Sequence, residues 1–218
     1  MRVLVPFDAT TPKTRLEPML EGSERQAFAR AMLRDVLESL RVAGATPTVV
    51  ATEPIDLERS SLRDVAVVVD ERPLTPAINE RLARTEPPLA IVVADLGLVT
   101  PRAIERLFET AGDVVIVPGR GGGTNALVVR EPGFRVDYHG LSCEDHRRVA
   151  ADLGAQTATV DSYRLSTDID EPEDLPEVLL HASGAARAWL ESAGFEVDVT
   201  NSRVGVRRSR SPSVPDWG

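Results

Sequence analysis

Lysine is almost missing from this 218-residue chain: of its 25 basic residues only Lys13 is one, and the rest are arginine. Cysteine occurs once, at Cys143, which excludes an internal disulfide and fits a reducing, cytoplasmic setting. Positive charge is scarce overall, since 34 acidic residues leave a formal net charge of -9. So acidic a chain lacks the basic stripes that displace counterions from a phosphate backbone, which argues against nucleic acid as a partner. Long apolar runs are also missing: the longest, at 88–93 and 65–69, fall far short of the roughly 20 residues that cross a bilayer, so no membrane association is expected. The first residues enter a strand-like run at once, without the succession of basic, apolar and small residues that makes a signal peptide. Acidic, lysine-poor composition suits a protein adapted to high salt, where net charge maintains solubility, and a GC-rich genome would also favour arginine. Either bias should have removed Lys13 as well, so its survival points to a task for the ammonium group.

What is present is an alternation of β-branched runs, at 3–6, 48–51, 65–69, 90–94, 114–117 and 126–129, with helical patterns between them. This predicts one α/β domain over 1–208: a three-layer α/β/α sandwich around a mostly parallel, mixed central sheet. A first helix is expected from Ser23, with Ser23 and Gln26 at capping-box spacing and an inner face of Phe28, Ala31, Met32, Val36 and Leu40. Further helices are read at 76–83, 101–110, 144–153, 172–181 and 184–192. A C-terminal hairpin is expected at 195–199 and 203–206 around Asn201-Ser202, and a disordered tail at 209–218.

Ligands of open α/β sheets bind beyond the carboxyl ends of the strands, so the segments 8–15, 70–75, Asp95, 119–125 and 167–170 should converge on one cleft. Asp95 follows an apolar strand directly. Asp168 and Asp170 alternate around Ile169, so in extended backbone they point the same way. Together these three carboxylates suit a hard cation such as Mg²⁺; equally, Asp170 before Pro172 could do no more than start a helix. The run Gly119-Arg120-Gly121-Gly122-Gly123-Thr124-Asn125 lets backbone amides approach an anion and adds a hydroxyl donor, although it could also be a flexible turn. It has neither the Gly-Lys-Ser/Thr ending of a Walker loop nor a following helix. Lys13 can serve as a point charge for a triphosphate and Arg15 as a planar fork, or Arg15 can be structural. His139, His146 and His181 show no zinc spacing, and His146 reads as a packing or capping residue.

Several of these residues stand in motifs: Arg2-Val3-Leu4-Val5-Pro6, Lys13-Thr14-Arg15-Leu16, Glu24-Arg25, Ala94-Asp95-Leu96, Gly121-Gly122-Gly123-Thr124-Asn125-Ala126-Leu127, Gly140-Leu141-Ser142 with His146, and the stretch from Thr167 to Leu175. On these the chain resembles the archaeal 2-phospho-L-lactate guanylyltransferase family, CofC, within the nucleotidyltransferases of glycosyltransferase-A-like, nucleotide-diphospho-sugar transferase-like fold. The resemblance implies transfer of GMP from GTP to 2-phospho-L-lactate, or in related bacterial enzymes to phosphoenolpyruvate, with release of pyrophosphate in coenzyme F(420) biosynthesis. It implies Mg²⁺ held by Asp95, Asp168 and Asp170. Lys13 and Arg15, catalytic together with Asp95, would meet the nucleotide phosphates; Thr124, Gly140 and Ser142 would bind the acceptor, with Gly122, Gly123 and Asn125 also substrate-binding. It also implies a homodimer built with the help of 183–208. Two departures from the family pattern stand out: Asp8, where many relatives have lysine, and Gly97, where proline is usual. Rival readings are a molybdopterin guanylyltransferase, whose glycine-rich first loop is absent here, and a non-catalytic nucleotide sensor, against which the three retained carboxylates speak.

Overall fold

The computed structural model describes residues 1–57, 61–200 and 203–209. Seven strands form one mixed sheet: β1 (Arg2–Phe7), β2 (Thr46–Ala51), β3 (Ala66–Val69), β4 (Leu89–Val92), β5 (Val114–Pro118), β6 (Thr124–Val129) and β7 (Thr157–Thr159), in the order β3-β2-β1-β4-β6-β5-β7. Every neighbour pair is parallel except those of β6, which runs antiparallel to both β4 and β5. β4 and β6 are buried at every residue, as strands covered on both faces must be.

The helices are α1 (Gly22–Val42), α2 (Leu74–Arg84), α3 (Pro101–Glu109), α4 (Ser142–Asp152), a single turn α5 (Tyr163–Ser166), α6 (Leu175–His181) and α7 (Ala185–Ser192). Alternation along each strand sorts the core into two layers. Val3, Val5 and Val92 pack with Val36 and Leu40 of α1 and Ile104 of α3, while Leu4 and Ile91 pack with Ile78 of α2 and Ala150 of α4. The expected three-layer sandwich is therefore present.

A third core lies on the far side of α1. There Phe28 and Met32 meet α6, α7 and the hairpin of β8 (Phe195–Thr200) and β9 (Arg203–Arg208), with the Phe28 and Trp189 rings 5.4 Å apart. The single inner face expected for α1 is thus two faces. The expected hairpin is present; its turn, Asn201-Ser202, and residues 210–218 of the expected tail lie outside the described residues.

Expected helix starts move: α2 and α4 begin two residues early, at Leu74 and Ser142. α1 is capped by Glu21 and Glu24, which form a reciprocal capping box, and not by Ser23 and Gln26. The helix expected at 172–181 is a 3-10 turn, Pro172–Asp174, followed by α6.

α7 is fastened across sequence. The Asp35 carboxylate accepts the N–H groups of Ala185 (2.6 Å) and Ala186 (2.9 Å), satisfying orphan donors of the first turn from a neighbouring helix. A Cβ on Gly184 would stand 2.2 Å from Asp35 Oδ1. Gly184→Ala is therefore expected to destabilise the fold by about 1–3 kcal/mol through overpacking, read as a lower urea midpoint; an unchanged midpoint would contradict this anchor.

Candidate active site

The carboxyl ends of β1 to β4 and the start of antiparallel β6 open on one edge of the sheet, where ligands collect in open α/β folds. At its centre is Lys13, whose ammonium donates to Asp95 Oδ2 at 2.7 Å and to Asp170 Oδ1 at 2.6 Å. Its side chain is only 9% exposed. Burial pulls its pKa down, but the two carboxylates outweigh burial and hold it above the ordinary value. Lys13 also has φ 57°, the only left-handed backbone outside glycine among the described residues. Such a conformation costs about 1–3 kcal/mol and persists where the surroundings enforce it; here the two ion pairs do so.

The carboxylates are brought together by backbone. Ile169 N–H donates to the Asp95 carbonyl at 3.1 Å. Thr167 and Ile169 turn inward, so Asp168 and Asp170 are left half-exposed toward the cleft. Gly97 allows this approach: a Cβ there would lie 3.1 Å from Ile169 Cγ1 and 3.2 Å from Val178 Cγ2. Its N–H also donates to the Asp95 carbonyl at 3.0 Å, a bond that a proline in its place could not make. Asp168 accepts from Asn125 Nδ2 at 3.1 Å. Burial nevertheless pushes the Asp168 carboxyl above the usual range, with Asp95 and Asp170 adding to it.

Arg15 stands at the rim, 68% exposed, with its guanidinium 3.6 Å from Asp170. Arg120, within the glycine run, pairs with Asp174. The other oxygen of Asp174 accepts the N–H groups of Asp170 and Glu171, each at 2.9 Å, so Arg120 ties the glycine loop to the carboxylate loop.

The glycine loop joins β5 to β6 as a hairpin, closed by Gly119 N–H to the Gly123 carbonyl at 2.8 Å. A Cβ on Gly121, Gly123 or Gly140 would meet nothing within 4 Å, so their backbone faces open space. Gly122, at φ 85°, passes directly beneath Leu141. Thr124 and Ser142 lie together, with hydroxyl oxygens 3.2 Å apart. Asn125, expected among the substrate-binding residues, directs its amide to the Leu165 carbonyl and to Asp168. Cys143 is buried and burial pushes its thiol up, so it is no nucleophile.

On the other side of Lys13 and Asp95 lies a cleft of about 550 Å³ that includes Phe7, Asp8, Thr52, Glu71 and Arg72, a size that accepts a nucleoside. Asp8 Oδ1 accepts the N–H groups of Thr10 (2.9 Å) and Thr11 (3.2 Å), so Asp8 shapes the loop that delivers Lys13. Asp70 is held well below the usual carboxylate range, first by Arg72 and then by Arg81, which fixes the Arg72 cation at the cleft wall.

Asp95 Oδ1 is buried without a hydrogen-bond partner, and Asp168 stands beside the two carboxylates, Asp95 and Asp170, that share Lys13. Both features fit a hard divalent cation. Among the described residues, however, no three His, Cys, Asp or Glu side chains form a ready-made metal cage. A cation here would take much of its coordination from water and ligand oxygens, as Mg²⁺ commonly does.

The family model described as "Guanylyl transferase CofC like" matches residues 1–211. A 2-phospho-L-lactate guanylyltransferase from Halomicrobium mukohataei is 58% identical over 208 residues, covering 95% of this chain and all of that protein. The corresponding protein of Methanoregula boonei is 46% identical, with 96% of each chain covered. Among solved structures, a Desulfovibrio desulfuricans G20 protein assigned as a nucleotide-diphospho-sugar transferase aligns with TM-score 0.67 at 14% identity, over 88% of this chain and 94% of that one. A nucleotidyl transferase from Methanothermobacter aligns with TM-score 0.59 at 15% identity, over 83% and 97%. These two likenesses establish the fold.

Proposed function

The chain belongs to the CofC-like guanylyl transferase family, and on that premise we propose that it transfers GMP from GTP to 2-phospho-L-lactate, forming lactyl-2-diphospho-5'-guanosine and releasing pyrophosphate. The observation that carries this reading is the position of Lys13. Its ammonium bridges Asp95 and Asp170 at the seam between a nucleoside-sized cleft and an anion-binding glycine loop, where an α-phosphorus and an acceptor phosphate would have to meet.

The acceptor phosphate supplies its own nucleophile. The second pKa of such a monoester is about 6, so near neutral pH it is largely the dianion and needs no base. This agrees with a site without a histidine at its carboxylates. The work left to the protein is positioning in line and stabilising charge on the leaving pyrophosphate. Gly122 and Gly123 amides, Gly140 and the Thr124 and Ser142 hydroxyls suit the acceptor's phosphate and carboxylate. Lys13 and Arg15 suit the nucleotide phosphates. Asp95, Asp168 and Asp170 would hold Mg²⁺, which when bound neutralises phosphate oxygens.

Pyrophosphate release from GTP with Mg²⁺ in molar salt tests the reading, with 2-phospho-L-lactate, phosphoenolpyruvate or no acceptor present. Release that requires phospholactate is expected. Preference for phosphoenolpyruvate would change the acceptor, and silence with both acceptors from folded protein would defeat the assignment. We propose further that the protein acts in the cytoplasm as a homodimer through the C-terminal helix and hairpin. The exposed cross-strand pair Val199 and Val204 supports this, and sedimentation of a Val199→Glu variant as a monomer would test it.

A further inference from the structure

His146 has no part in the chemistry just described, yet it is completely buried and fully bonded. The N–H of Asp137 donates to its Nε2 at 3.0 Å, so Nε2 must carry a lone pair. The ring proton of a neutral imidazole then sits on Nδ1, which lies 2.9 Å from Thr124 Oγ1 and donates to it. Burial brings the pKa of the ring down to about 4 against the pull of Asp137 and Asp145, so the neutral form prevails at pH 7. Tyr138 packs edge-on at 5.1 Å and Phe134 tilts against the ring at 5.9 Å, which leaves it little freedom to turn.

The consequence falls on Thr124. Its oxygen accepts from His146 Nδ1 and from the Ser142 hydroxyl, at 2.9 and 3.2 Å. Both acceptor sites of the oxygen are occupied, and the hydroxyl proton has no acceptor in the hydrogen bonds of the described residues. Thr124 opens β6 beside Gly123, whose backbone faces open space. Without the histidine the hydroxyl could rotate and donate to Ser142, turning an oxygen lone pair toward the ligand. Against an anion that orientation is repulsive.

We propose that His146 is a positioning residue for the acceptor: its Nδ1–H holds the Thr124 hydroxyl so that the hydroxyl proton is presented to an anionic oxygen of the bound phospho-acid. The inference rests on the proposed acceptor site, and it assigns the acceptor half of that site a built-in preference for oxyanions over hydrogen-bond donors.

Two measurements test it. The first is the ring spectrum of ¹⁵N-histidine-labelled protein without substrate at pH 7. It is expected to show His146 protonated on Nδ1 with a pyridine-like Nε2, and the Nδ1 proton is expected to lose its protection from exchange in Thr124→Val. An Nε2–H tautomer or an imidazolium would overturn the relay.

The second is kinetic. His146→Phe is expected to raise the KM for phospholactate about tenfold, the worth of one hydrogen bond, while the KM for GTP stays within about twofold. His146→Asn, whose amide can replace the Nδ1–H donor, should restore most of the loss. Adding His146→Phe to Thr124→Val should cost nothing more. Equal rises in both KM values, or losses that multiply in the double variant, would overturn the proposal. Should wild-type protein turn over no phospholactate, the proposed function fails, while the ring spectrum still decides the relay.

Discussion

Asp168→Asn is expected to lower kcat about a thousandfold with GTP, Mg²⁺ and acceptor saturating, while leaving the protein at least as stable as wild type. The two effects have one cause. Asp168 is pushed toward its neutral form by burial and by Asp95 and Asp170, against which stand the Asn125 amide and a backbone N–H. Crowded carboxylates of this kind destabilise the free protein and become favourable once a cation enters. Asparagine keeps the shape and an oxygen for Asn125 but removes the charge. Loss of an electrostatic contact at a reacting centre costs about 10²–10³ in rate, and loss of part of a cation site places this variant at the upper end. The measurement is a rate titration against Mg²⁺ beside a urea melt. Wild-type turnover would reject the role of Asp168 as a cation ligand, and a lower urea midpoint would reject the account of its strain.

Lys13→Met is the second large effect. It removes the cation between Asp95 and Asp170 and, with it, the two ion pairs that help hold a left-handed backbone. Breaking a fully buried pair costs about 3–5 kcal/mol; Asp95 and Asp170 are 26% and 36% exposed, so about 1–3 kcal/mol is expected here. Turnover should fall at least about a hundredfold. Lys13→Gly separates the terms, because glycine adopts φ 57° without strain. It should recover part of the stability and none of the activity. Lys13→Arg should not rescue either, since a planar fork cannot replace a compact ammonium held at 2.6 and 2.7 Å by two carboxylates. Near-wild-type turnover in Lys13→Gly would refute the role of the ammonium.

Much of this site could be read from the chain because its parts are local. Asp95 after an apolar run and Asp168 and Asp170 around a buried Ile169 follow from strand periodicity, and the solitary Lys13 was marked by composition. Contacts between distant segments could not be read. That Lys13 would meet Asp95 and Asp170 depends on a left-handed turn shaped by Asp8, and no pattern of residues announces such a turn. Glutamate is an uncommon helix cap, so Ser23 outranked Glu21. β7 and α5 are too short to show a period, and the link from Arg120 to Asp174 joins residues 54 apart. The sequence marks His146 as a packing or capping residue, and its burial fits packing, but its bond to Thr124 depends on the antiparallel return of β6 beside α4.

The most direct test of the central claim is ³¹P NMR of the reaction of GTP, 2-phospho-L-lactate and Mg²⁺ with the protein in high salt. The account predicts that the three GTP resonances give way to free pyrophosphate and to one new pair of coupled diphosphate signals, one of which derives from the acceptor's own phosphorus. GDP and orthophosphate with the phospholactate signal unchanged would mean that the γ-phosphate is hydrolysed instead, and would contradict it.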